Sequence, residues 1–180
     1  KRQELEPFVI KNALNDHLRP FPIAILEVDE VDNKFHARFN ARQRKYLYRI
    51  VNRKSPLTIE KGRAWHVHKE IDVDLMKECI SSIEGKHDFT TFRSAHCQSD
   101  SPIKTIDSLQ ITKSEENIYF GFSAKSFLHR QVRSIVGSLK LVGEQSWLVS
   151  DFHDALNSKE RSKCGAVAPA DGLYFMEVKY

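Results

Sequence analysis

The sequence predicts an α+β domain: a mixed or antiparallel sheet with helices on one face, of the ferredoxin-like or RNA-recognition-motif-like kind. Three observations carry this. From residue 44 onward, apolar spacing alternates between a period of two and a period near 3.6, in the order β, α, β, β, α, β. A hydrophobic fraction of 41% beside 29% charged residues is ordinary for a globular domain, and 180 residues suffice for one substantial core. Finally, in SFLHRQVRSIVGSL (126 to 139), Leu128, Val132, Ile135, Val136 and Leu139 fall on one stripe, as in a helix laid against that core.

Taken in order, FVIKNALNDHL (8 to 18) has a helical period, and RPFP with its two prolines ends it. IAILEVDEV (23 to 31) reads as a strand, and FHARF (35 to 39) as an extended segment. The stretch 1 to 32, a helix plus a strand, is expected to close an N-terminal domain, with a second domain over 33 to 180. RKYLYRIVN (44 to 52) alternates Tyr46, Tyr48 and Ile50 against Leu47, Arg49 and Val51. VDLMKECISSI (73 to 83) is helical, with Asp72 as N-cap and Gly85 just past its end. TIDSLQITK (105 to 113) and NIYFGFSA (117 to 124), separated by SEE, form a hairpin. Helices over 126 to 142 and 151 to 158 and a strand GLYFMEVKY (172 to 180) complete the set. Segments 53 to 69 and 86 to 104 read as long loops, and no internal repeat or low-complexity tract is visible.

A net charge of +4 is too mild to define a polyanionic partner, but its distribution is informative. Arg38, Arg42, Arg44, Lys45 and Arg49 crowd one stretch, and Lys125, His129, Arg130, Arg133 and Lys140 another. No apolar run approaches the roughly 18 residues that span a bilayer. The opening KRQELEPF has no apolar segment behind its basic residues, so the cytoplasm is the expected compartment. Three cysteines, Cys79, Cys97 and Cys164, with no CxxC, read as reduced thiols.

Three places could carry chemistry. KYLY sets Tyr46 and Tyr48 on one face of a strand beside arginines: stacking rings flanked by cations suit an unpaired RNA base, and equally suit half-buried strand residues. The loop HDFTTFRSAHCQSDSP gathers His87, Asp88, His96, Cys97 and Asp100, but the spacing matches no zinc pattern, even with His66 and His68 added. The adjacent His96 and Cys97 do not form a catalytic pair. Its structural reading is that Phe89 and Phe92 anchor the loop while Asp88 caps backbone N–H groups. The third place is the row His129, Arg133, Gly137, at i, i+4, i+8 along the edge of the apolar stripe. Arg133 there could extend to solvent, touch phosphate, or sit beside the space at Gly137 to keep a carboxylate charged.

Together, FHARF, RKYLY (44 to 48), HDFTTFR (87 to 93), FLHRQVRSIVG (127 to 137) and APADGLYF (168 to 175) resemble the tRNA pseudouridine synthases of the TruA type, in that family's order and spacing from about residue 8. The resemblance implies the pseudouridine synthase fold. It also implies isomerisation of uridines at positions 38, 39 and 40 of the tRNA anticodon stem-loop, without cofactor or metal, by a homodimer. Tyr46 matches the tyrosine that stacks on the target base and assists proton removal from carbon 5. Arg133 matches the arginine that pairs with the catalytic aspartate, and Arg38, Arg42, Arg44, Lys45, Lys125, His129 and Arg130 are then the expected RNA contacts.

The family's catalytic aspartate lies in a G-R-T-D-x-G-V-H-A stretch, which these 180 residues do not contain; Asp88, Asp100, Asp107 and Asp171 all stand in other contexts. The expectation is therefore a C-terminal part of a synthase, inactive by itself. The alternatives are an RNA-binding module without catalysis, and an interaction domain of the same fold without RNA.

Overall fold

The computed structural model describes residues 5–180, which form two compact units, the first up to Asn40 and the second over Ala41–Tyr180. In the first, helix α1 (Pro7–His17) starts with proline at a position where its missing N–H costs nothing, and it buries none of its residues. Two expectations fail here. Residues 23–31 form no strand: Ile25 spends both backbone groups on the Asn15 side chain, donating to Oδ1 at 2.7 Å and accepting from Nδ2 at 2.9 Å. FHARF is a turn, because the Asn40 Oδ1 accepts from the His36 N–H at 2.7 Å and the His36 carbonyl accepts from the Asn40 N–H at 2.9 Å.

The second unit is built on a six-stranded mixed sheet. Its strands are β1 (Gln43–Asn52), β2 (Trp65–Val67), β3 (Gly85–Asp88), β4 (Ile103–Ser114), β5 (Asn117–Ala124) and β6 (Leu173–Lys179). The four strands expected from the sequence lie in the antiparallel order β4, β5, β1, β6. β2 and β3 occupy stretches expected to be loops. With three and four residues, they are too short to show a period, and their ladders come from pairing: β2 runs parallel to Ile50–Asn52 at the far edge of β1, and β3 antiparallel to β4. The β4–β5 hairpin turns on Glu115, whose φ of 52° lies in the left-handed region.

One face of the sheet carries the helices. Tyr48 and Ile50 of β1, Ile118, Phe120 and Phe122 of β5 and Ile106, Leu109 and Ile111 of β4 share one core with residues from α2 (Val73–Glu78), α3 (Ile80–Ile83), α4 (Gln131–Gly143) and α5 (Val149–Ser158). Asp72 caps α2 as expected, its Oδ1 accepting from the N–H groups of Asp74 and Leu75. The expected single helix over 73–83 is broken at Cys79. Phe89 and Phe92 are fully buried, Phe92 stacking on Phe152 with centroids 5.6 Å apart, and Asp88 Oδ1 accepts from the Thr90 N–H and hydroxyl. HDFTTFR thus anchors its loop as the sequence suggested.

α4 starts at Gln131, five residues later than expected. The chain leaves β5 through a turn in which the Leu128 N–H donates to Gln131 Oε1 at 2.7 Å and the Gln131 N–H donates back to the Leu128 carbonyl at 3.1 Å. Arg130 sits before the helix with φ 63°. His129 therefore lies in this turn and leaves the helical row with Arg133 and Gly137.

Candidate active site on β1 and α4

Strand β1 points Arg44, Tyr46, Tyr48 and Ile50 toward the helix-bearing face, and burial rises along that row. Ile50 and Tyr48 are in the core, while Tyr46 is half-buried near the end of the sheet. Its ring meets Phe127 edge-on at 5.3 Å between centroids and Phe175, its ladder partner on β6, at 5.1 Å. Phe175 is 56% exposed, so the trio forms an aromatic surface with one open side. Burial pushes the Tyr46 phenol above its ordinary range, with Arg44 pulling it back in part, so the hydroxyl keeps its proton at neutral pH.

Arg133 answers to the segment that precedes β6. Its Nε donates to the Ala168 carbonyl at 2.6 Å, and its own carbonyl accepts from the Ala168 N–H at 3.1 Å. Gly137, one turn on, explains the residue pattern: a Cβ there would stand 1.8 Å from the Ala166 carbonyl oxygen. The glycine lets residues 166–168 cross the helix at backbone distance, and the crossing strap supplies the carbonyl that holds the arginine. Of the three readings open for Arg133, free extension into solvent is not what the structure shows, since the residue is half-buried and its guanidinium is anchored at Nε. Among the described residues no carboxylate forms an ion pair with it.

The other expected residues scatter. Arg44 lies beside Lys125, its Nη1 donating to the Lys125 carbonyl. His129 and Arg130 are exposed in the neighbouring turn, where the His129 N–H donates to Cys97 Sγ at 3.4 Å and its carbonyl accepts from the Ser94 N–H at 3.1 Å. Arg42 is exposed at the start of β1. Lys45 points to the opposite face of the sheet and pairs with Glu177 at 2.7 Å. Arg38 belongs to the first unit, over the Phe39 ring.

Loop residues read from the sequence have local tasks. Arg93 Nη2 donates to the carbonyls of Cys97 and Ser99, closing the loop, and His87 Nε2 lies 2.8 Å from the Glu84 carbonyl oxygen. At Cys97, burial pulls the thiol up, but N–H donors from Ser99 and His129 with the Arg93 charge outweigh it and hold the thiol below its usual range. Among the described residues, no three His, Cys, Asp or Glu side chains gather as metal ligands. Sequence reasoning named Tyr48 only as a stacking or packing ring and gave Phe127 and the strap no individual roles, although FLHRQVRSIVG, APADGLYF and the glycine four residues after Arg133 marked the place.

A sequence model of the family described as tRNA pseudouridine synthase matches residues 79–180. The chain is 49% identical over 174 residues to the tRNA pseudouridine synthase A of Parvibaculum lavamentivorans, covering 97% of this chain and 71% of that protein. It is 51% identical over 180 residues to that of Rhizobium meliloti (99% and 73%) and 46% identical over 178 residues to that of Maricaulis maris (99% and 72%). The chain belongs to the tRNA pseudouridine synthase family, a group of RNA-modifying isomerases. Among the described residues, no helix is long and apolar enough to cross a membrane.

Proposed function

We propose that this protein isomerises uridine to pseudouridine at positions 38, 39 and 40 of the tRNA anticodon stem-loop, with Tyr46 and Arg133 as the groups of its active site that lie in this chain. The observation that carries the reading is the anchoring of Arg133. One nitrogen is committed to Ala168 O, and no hydrogen bond among the described residues engages the two Nη groups, which suits them to grip a carboxylate in bidentate fashion. A guanidinium beside a carboxylate in a partly desolvated site keeps that acid ionised against burial, as a nucleophile or base must be. The aromatic surface around Tyr46 supports stacking of an extruded base.

The reaction breaks the bond from ribose C1′ to N1 and joins C1′ to C5; N1 gains a proton and C5 loses one. Tyr46, protonated at rest, is placed to stack on the base and to relay that proton. Arg42, Arg44, Lys125, His129 and Arg130 hold phosphates near this site, and Arg38, in the first unit, and Lys45, on the far face of the sheet, are further RNA contacts. The protein acts in the cytoplasm as a homodimer, and residues 1–180 alone, without the Arg-Thr-Asp stretch, do not turn over.

Mapping pseudouridine in tRNA incubated with the full-length protein tests this. New pseudouridine confined to positions 38 to 40 is the expected result. Modification elsewhere would overturn the assigned positions, and binding without any modification would favour an RNA-binding module.

A further inference from the structure

Tyr48, two residues beyond Tyr46 on the same face of β1, is fully buried, and its hydroxyl is used for a single contact. It donates to the Pro169 carbonyl at 2.7 Å. Its ring lies close against Gly172, where a Cβ would come to 2.7 Å from two of the ring carbons and 2.6 Å from the Arg49 carbonyl oxygen. The strap from Ala166 to Gly172 is therefore pinned between α4 and β1. On the α4 side, Ala168 exchanges hydrogen bonds with Arg133. On the β1 side, the next residue accepts from Tyr48.

An arginine side chain has several rotatable bonds, and a single hydrogen bond at Nε fixes the direction of its Nη edge only as well as the acceptor itself is fixed. The acceptor here is the carbonyl of Ala168, whose position depends on how its neighbour Pro169 is held. We propose that Tyr48 is a positioning residue for the isomerisation: through Pro169 and Ala168 it sets the direction in which Arg133 presents its guanidinium to the catalytic carboxylate. This rests on the reading of Arg133 given above. Burial holds the Tyr48 phenol well above its ordinary range, so it remains a donor throughout the neutral and mildly alkaline range, with the nearby Arg133 charge pulling weakly the other way.

The test uses Tyr48→Phe in the full-length protein, which keeps the ring against Gly172 and removes only the hydroxyl. Misaligning a catalytic group by a fraction of an ångström to an ångström costs up to about a hundredfold, so kcat is expected to fall roughly ten- to a hundredfold with KM for tRNA unchanged. The second readout is solvent exchange of the Arg133 Nε–H by NMR, assigned through its absence in Arg133→Lys. It is expected to be slow in the parent protein and at least about tenfold faster in Tyr48→Phe, while core amides stay protected. An unchanged kcat, a change in KM alone, or unaltered Nε–H exchange would each overturn the positioning role. Full turnover by Arg133→Lys would instead overturn the site assignment, so the two failures are distinguishable.

Discussion

Arg133 is tied to the strap Ala166–Gly172, while the turn 125–130 that leads into its helix is tied to the loop 93–101. The two are held by unlike means. The strap meets α4 backbone to backbone, at a distance only Gly137 permits, and its hydrogen bonds end on buried or half-buried groups. The turn and loop meet through a thiol acceptor, one backbone bond from Ser94 to His129, and an Arg130 kept in the left-handed region. The contrast teaches how one short stretch serves two demands. Arg133 is referenced to the strap, and the exposed His129 and Arg130 stand on a turn tied down by a thiol acceptor and a single backbone bond.

Three perturbations probe this contrast, in falling order of effect. Gly137→Ala pushes a methyl group into the Ala166 carbonyl and should cost about 3 kcal/mol of stability by denaturant titration. A loss under about 0.5 kcal/mol would mean that the strap gives way easily, and the contrast would collapse. Arg130→Gly relieves a left-handed non-glycine residue and should stabilise by about 1 kcal/mol. No gain would mean that contacts of the arginine side chain compensate the strain.

Cys97→Ser gives the smallest effect, and its sign follows from the thiol's depressed pKa. The folded state gives up the proton before the unfolded chain does, so the stabilisation is fully present above the unfolded thiol's pKa and is lost as pH falls through the folded value. The melting temperature of the parent protein should therefore gain slightly on Cys97→Ser as pH rises from 7 toward 9. A constant difference would remove the hydrogen bonds to Sγ from the account.

The regular parts of the fold were legible because each was long enough to show its period. Tyr46 to Val51 alternate as one strand should, the 105–124 hairpin is bounded by charged turn residues, and the Leu128 to Leu139 stripe is the buried face of α4. What escaped depends on partners distant in sequence. WHV becomes a strand only by pairing with β1, and IAILEVDEV, with strand-like composition, is left without a ladder because a side chain of α1 takes the backbone of Ile25. In the candidate site, the arginine and its glycine were visible as a pattern, but the reason for them was not, since Ala168 lies more than thirty residues away. Tyr48 shows the limit most clearly. On β1 it has the spacing of any core residue, and only the hydrogen bond to Pro169 separates it from its neighbours.

The most direct measurement is release of tritium from tRNA carrying [5-³H]uridine, since forming the bond from C1′ to C5 expels the hydrogen at C5. The full-length protein and its Arg133→Ala variant would be compared under single-turnover conditions, with tRNA affinity measured alongside. The account predicts release by the parent protein and none by Arg133→Ala, with affinity within about threefold, because the guanidinium holds a carboxylate and not the RNA. Release by Arg133→Ala at the parent rate would contradict it, and would return Arg133 to the role of a residue that fastens the strap to its helix.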